Sequence, residues 1–202
     1  KVGNFSCNFV QFYYATNTEA RWNLVETSWE LCISRNLLSI EYDENKRILF
    51  AQDNYRRKDV TSARDSLNGY QKGKCFYCFD DITVDSENEN CCDVDHFFPY
   101  VLQPLMPHIN LNGIWNLVLA CPRCNRGTNG KFARVPNIKY LQRLENRNEF
   151  LVISHHPLRE TLISQTGRTP EQRHAFLASV DKEAINFLVH RWCTKQIGEE
   201  VF

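Results

Sequence analysis

The sequence predicts an α+β fold, mainly helical, built around a small strand–loop–strand–helix core that a metal clasps. Three observations carry this. Two matched cysteine pairs, Cys75-Phe76-Tyr77-Cys78 and Cys121-Pro122-Arg123-Cys124, bracket one stretch of chain. Inside that stretch, two short apolar runs are separated by a loop rich in Pro, Asn and Gly. On either side of it, apolar residues recur at helical spacing.

Each C-x-x-C pair is short enough for both sulfurs to reach one ion, and two pairs supply the four thiolates of a tetrahedral zinc site. A closed Cys₄ shell leaves no open position, so the site it predicts is structural. The competing reading is two disulfides or four free thiols. Paired knuckles favour metal where thiols stay reduced. Cys7, Cys32, Cys91, Cys92 and Cys193 show no ligand spacing and read as small apolar side chains.

Residues 91–98 read as a strand stopped by Pro99, and residues 115–120 as a second strand. Pro104, Pro107, Asn110, Asn112 and Gly113 mark the loop between them. Pro122 suits the first turn of a helix that carries Cys124, Asn125 and Arg126. Upstream, Trp22, Val25, Trp29, Cys32 and Ile33 predict a helix over residues 17–39. Asp43-Glu44-Asn45 suggests a hairpin within residues 40–52. Val60, Ala63, Leu67 and Tyr70 predict a helix over residues 54–70, ended by Asn68-Gly69. Downstream, Ile138, Leu141 and Leu144 predict the buried face of a helix over residues 136–148, followed by an apolar run at Phe150–Ile153. His155-His156 lacks companions for a ligand set and reads as a loop or helix start. Thr169-Pro170-Glu171-Gln172 forms a capping box with Pro at the first position. It opens a helix through Phe176, Val180, Ile185, Leu188 and Trp192. The organisation expected is residues 1–70 helical, 71–135 the metal-clasped core and 136–202 helical, packed as one compact unit.

The chain has 202 residues, 43% hydrophobic and 24% charged, ordinary values for a globular protein. No apolar run reaches membrane-spanning length and no signal-peptide pattern is present, so a cytoplasmic protein is expected. The formal net charge is +0, which excludes a generally basic nucleic-acid binder. Charge is segregated along the chain instead. Asp80, Asp81, Asp85, Glu87, Glu89, Asp93 and Asp95 follow one another without an intervening Lys or Arg. Between Cys121 and Arg147, Arg123, Arg126, Lys131, Arg134, Lys139, Arg143 and Arg147 are opposed only by Glu145. The basic run predicts a phosphate-contacting surface, with Arg126 and Lys131 nearest the core. The acidic run reads as a solvated loop on another side. Arg56, Arg57, Lys58 and Arg64 suggest a second basic strip.

Val94-Asp95-His96-Phe97-Phe98-Pro99, then Asn116-Leu117-Val118-Leu119-Ala120-Cys121, then Cys124-Asn125 with Lys131 beyond, together resemble the HNH endonuclease family, the zinc-bearing branch of the ββα-metal (His-Me finger) nucleases. The resemblance spans residues 71–135, and its third position is Asn125 where His is also used. It implies a ββα-metal core and hydrolysis of DNA phosphodiesters to 5′-phosphate and 3′-hydroxyl ends, one strand per site. It implies His96 as general base, Asp95 and Asn125 as ligands of Mg²⁺ or Mn²⁺, and Asn116 as the amide that fixes the loop and the His96 backbone. The division is chemically sound, because a neutral imidazole can activate water and a hard cation on oxygen ligands can offset phosphate charge. Adjacent strand residues face opposite ways, so Asp95 and His96 share one site only if the strand bends or bulges there.

Two other classes of function stay open. One is a zinc-stabilised nucleic-acid-binding module without catalysis. The other is an interaction protein silent until a partner docks, such as an ATPase in restriction or phage defence. A homodimer would give double-strand cuts, and RNA stands beside DNA as a substrate.

Overall fold

The computed structural model describes residues 67–85 and 91–202, residues 18 and 21, and the backbone of Ser39–Asp43, Ile48–Asp53 and Arg56–Asp59. The helix expected over residues 17–39 lies outside the described residues apart from these positions, as do Cys7, Cys32 and Arg64. Strands β1 (Ser39–Asp43) and β2 (Ile48–Asp53) form the expected antiparallel hairpin, running from Ser39 opposite Gln52 to Asp43 opposite Ile48. Strand β3 (Arg56–Asp59) adds to β2, again antiparallel. This overturns the first part of the helix expected over residues 54–70. Residues 60–66 lie outside the described residues; residues 67–71 at its end are helical, and Lys72 and Gly73 then turn with positive φ, Gly73 N–H donating to Asn68 Oδ1. Pairing with β2 outweighs the local apolar spacing, as non-local contacts often do.

The core of the molecule is an antiparallel pair and a short helix. Strand β4 (Asp93–His96) runs against β5 (Leu117–Ala120) in unbroken register, Asp93 opposite Ala120 and His96 opposite Leu117. Helix α1 (Pro122–Arg126) follows, with Cys121 at its N-cap and Pro122 in its first turn. Both strands are shorter than the apolar runs that predict them. Trp115 and Asn116 belong to a 3₁₀ turn, Ile114–Asn116, although Phe97 N–H still bonds Asn116 O in the register of the ladder.

Three helices support this unit. Helix α2 (Ile138–Ile153) is capped by Asn137 and absorbs the Phe150–Ile153 run. Leu141 and Leu144 are buried as expected, but Ile138 is exposed, since it stands in the first turn where the helix has not yet met the core. Helix α3 (Arg159–Thr166) starts just after the His155-His156 loop. Helix α4 (Pro170–Phe187) opens on the predicted capping box, complete in both directions. It ends before Trp192. The chain instead returns as β7 (Arg191–Trp192), parallel to β6 (Val135–Pro136), and Trp192 Nε1 donates to Asn129 O at 2.7 Å. Asp181 takes both ends of Arg191, and Glu149 takes both ends of Arg173, which ties α4 to β7 and to α2. Trp115, almost wholly buried, meets Phe176 of α4 edge-on at 4.9 Å and joins the helices to the β4–β5 core. Among the described residues no helix is long and apolar enough to cross a membrane.

Candidate metal centre and the strand beside it

Cys75, Cys78, Cys121 and Cys124 are buried, and their sulfurs lie within 4.8 Å of one another. A tetrahedron with zinc–sulfur bonds of about 2.3 Å has edges of about 3.8 Å, and Cys78 and Cys121 stand 3.8 Å apart. The quartet therefore fits a single zinc ion. The backbone prepares it. Phe79 turns in the left-handed region, φ 60°, which lets Cys75 N–H reach Asp80 O and closes the first knuckle. The amides of Cys121 and Cys124 point at the Cys75 and Cys121 sulfurs, and Arg123 reaches Cys78 Sγ. Such N–H···S bonds favour thiolate. The bond to Cys121 raises the thiol pKa of Cys75 and of Cys124, and the bond to Cys124 lowers that of Cys121. A cation removes that conflict by letting all four ionise.

The C-terminal tail seals the first knuckle, a role no sequence pattern announced. Ile197 and Gly198 N–H both bond Cys78 O. A Cβ on Gly198 would lie 1.9 Å from Phe79 O, so the crossing requires glycine. Phe202 packs on Phe79 and Phe76, with ring centroids 4.8 and 6.3 Å away.

The pleat of β4 places Asp93 and Asp95 on one face and His96 on the other. No bulge appears, so the bend needed to bring Asp95 and His96 together is absent from the β4–β5 ladder. Asp95 is 6% exposed, and both of its oxygens are engaged. Oδ2 accepts from Tyr77 Oη at 2.6 Å, and Oδ1 meets Lys131 Nζ at 3.0 Å. Lys131, expected as a surface phosphate contact, is 0% exposed, and its ammonium also donates to Phe132 O. Burial lowers its pKa while Asp95 opposes the shift; burial, then Asp95, raises that of Tyr77. A carboxylate so enclosed fits a divalent cation poorly, because the ion would have to displace an ammonium from a dry site. Asn125 turns its amide nitrogen to Asp93 Oδ2 (3.1 Å), not to Asp95, and Arg126 Nε meets the same oxygen at 2.9 Å. The oxygens that stand together with Asn125 are thus those of Asp93, a residue the sequence reading left unassigned. Among the described residues the cysteine quartet is the one group of three or more His, Cys, Asp or Glu side chains placed to hold a metal.

On the opposite face, His96 is 6% exposed and its Nε2 lies 2.8 Å from Asn112 Oδ1. Its ring tilts against Tyr100 at 5.4 Å. Asn116 is fully buried. Its oxygen accepts from Phe98 N–H and its nitrogen donates to Phe98 O and Leu111 O, fixing the chain two residues past His96.

The charged runs are not on separate sides. Asp80 pairs with Arg123 and Asp93 with Arg126. Arg143 lies over the Phe79 ring at 4.1 Å, and Arg147 is buried with its pKa lowered to about 10 by desolvation. Of the basic run, Arg123, Arg126, Arg134 and Lys139 remain exposed. Side chains of Arg56, Arg57 and Lys58 lie outside the described residues.

Comparison with family models, with curated proteins and with solved structures finds no match to this chain.

Proposed function

We propose that the chain is an HNH-type endonuclease that hydrolyses DNA phosphodiester bonds, with His96 as the general base. The observation that carries this reading is an order of parts: a histidine closing β4, an asparagine of the loop locking the chain beyond it, and a polar residue, Asn125, in the helix that carries the second knuckle. His96 takes a proton from water, the hydroxide attacks phosphorus, and the P–O3′ bond breaks, the departing O3′ taking a proton from solvent, to leave 5′-phosphate and 3′-hydroxyl. Asn116 holds the strand end in place during that transfer. Arg126 is exposed beside Asn125 and contacts the backbone phosphate once it leaves Asp93. Asn125 with Asp93, or with Asp95, would hold a divalent cation, Mg²⁺ or Mn²⁺, which would offset phosphate charge. For Asp95 to serve, Lys131 must first release it.

That enclosure favours a second reading: a zinc-stabilised nucleic-acid-binding or interaction module that stays silent until a partner opens the site. Nicking of supercoiled plasmid by the zinc-loaded chain, with Mg²⁺ or Mn²⁺ and with EDTA added after zinc loading, decides between them. Cleavage that His96→Ala lowers by about 10²–10⁴-fold supports the nuclease. Equal rates for parent and variant sink the assigned base. No cleavage by the parent, with nucleic-acid binding intact, favours the module.

A further inference from the structure

We propose that Asn112 is the positioning residue for His96, fixing its ring with the proton on Nε2 and the lone pair on Nδ1. A carboxamide oxygen can only accept, so the 2.8 Å contact between Asn112 Oδ1 and His96 Nε2 requires an N–H on that nitrogen. A neutral imidazole carries one ring proton, which makes Nδ1 the basic atom. The placement of Asn112 is not a loose surface encounter. Its N–H donates to Asn110 Oδ1, forming an Asx turn. Leu111, just before it, is held on both sides: its N–H by Gln103 Oε1 at 2.9 Å and its carbonyl by Asn116 Nδ2 at 2.8 Å. Trp115 Nε1 closes the turn on Asn110 O. Gly113, just after it, admits no side chain, since a Cβ would stand 2.7 Å from the Trp115 ring. The same Asn116 amide therefore fixes the strand end that carries His96 and the loop that carries Asn112. Ring rotation, the alternative to a single tautomer, is resisted by Tyr100 packed at 5.4 Å.

This rests on the nuclease reading for its meaning but not for its measurement. When Nδ1 takes the proton of water, both ring nitrogens are protonated, and Asn112 keeps accepting from Nε2–H. The ring gains its charge without having to reorient. Replacing the carboxamide by a carboxylate preserves the acceptor and favours the protonated ring.

The experiment is long-range ¹⁵N–¹H correlation of the histidine rings in the zinc-loaded chain, the His96 signals being those lost in His96→Gln. The parent should show His96 protonated at Nε2, Asn112→Ala a mixture of tautomers, and Asn112→Asp the parent tautomer again. In plasmid nicking, Asn112→Ala should lower kcat about tenfold, the factor one hydrogen bond carries, with KM unchanged. Asn112→Asp should recover most of that loss, a rescue by the retained acceptor that a purely structural role would not give. A proton on Nδ1 in the parent, or an unchanged Nε2–H tautomer in Asn112→Ala, overturns the proposal. So does an Asn112→Asp chain with its His96 proton on Nδ1 or in a mixture of tautomers. If Asn112→Ala loses its fold, judged by zinc content and circular dichroism, Asn112→Asp decides alone through its tautomer. A parent chain that cuts nothing ends the nuclease reading, while its ring spectrum still decides Asn112.

Discussion

Asp95→Asn should destabilise the protein strongly, and Lys131→Met placed on top of it should restore most of the loss. The two charges meet at 3.0 Å with 0% exposure on the lysine side, so removing the carboxylate strands an ammonium away from water. Breaking one partner of a buried pair costs about 3–5 kcal/mol. A ceiling follows from chemistry. The lysine can escape by losing its proton, and doing so at pH 7 from an ordinary pKa of about 10.4 costs about 4.6 kcal/mol. At roughly 2–4 °C per kcal/mol for a chain of this size, Tm should fall by about 6–20 °C. Lys131→Met alone should cost a similar amount, because Asp95 keeps only the Tyr77 hydroxyl among its two partners. The double variant carries neither charge and should lie within about 1.5 kcal/mol of the parent. The sign with pH is also fixed. Burial lowers the Lys131 pKa, and without Asp95 it falls further. Between the folded and unfolded values the unfolded chain binds the extra proton, so Asp95→Asn should gain stability from pH 7 to pH 9. Urea and thermal unfolding of the four zinc-loaded proteins measure the cycle. Additive single losses, or a Lys131→Met variant as stable as the parent, would refute a buried, coupled pair.

The purified chain should hold one zinc ion per molecule by elemental analysis, and Cys121→Ser should misfold, since structural zinc supplies on the order of 10–16 kcal/mol in small zinc peptides; active protein without zinc would end the Cys₄ reading. His156 is buried, its Nδ1 accepts from Leu158 N–H, and burial, with Arg21 adding to it, pushes its pKa down to about 3. The unfolded chain therefore takes up a proton that the folded chain refuses below about pH 6.5, and stability should drop by about 1.4 kcal/mol per pH unit from there, levelling near pH 3. His156→Asn should flatten that acid slope in urea titrations, and an identical slope in both proteins would clear His156 of the role. Arg126→Ala should weaken binding to all DNA sequences alike and reduce the salt slope by about one charge, whereas altered sequence preference at constant slope would mean that Arg126 reads bases.

What could be read from the sequence were features set by short-range chemistry. Two sulfurs two residues apart on each side of the core leave few geometries, so the quartet was legible before any contact was known. Pro99 and Pro122 punctuate the strands and helix by what proline forbids, and the Thr169–Gln172 box is a local exchange of hydrogen bonds. What escaped depends on partners far along the chain. Lys131 has the local look of a solvated lysine, and Asp95 alone makes it internal. Residues 56–59 offered no stronger strand signal than helix signal until β2 supplied the pairing. Trp192 continues the apolar spacing of α4, yet Phe187 ends that helix and the tryptophan packs with Tyr77 at 5.1 Å. The acidic and basic runs looked like opposed surfaces because sequence separation was taken for spatial separation, whereas Asp80 and Asp93 fold back onto Arg123 and Arg126.

The proximity of the knuckle to the charged strand would give a metal in the quartet a reach beyond stapling the core. Tyr77 stands between two of the metal-ligating cysteines, so the first knuckle fixes its backbone, and its hydroxyl is one of the two donors that hold Asp95. The other donor, Lys131, lies on the loop that leaves α1, and its N–H bonds Cys124 O of the second knuckle. Each knuckle thus delivers one proton donor to the same carboxylate. A closed tetrahedral ion cannot take part in hydrolysis itself, yet one held by this quartet would set the spacing of the two groups that decide whether Asp95 is available to anything else. On the far side of the strand, His96 meets Asn112, and Asn116 fixes the chain just beyond it. The two faces of β4 are therefore held from different directions, Asp95 by the cysteine knuckles and His96 by the loop.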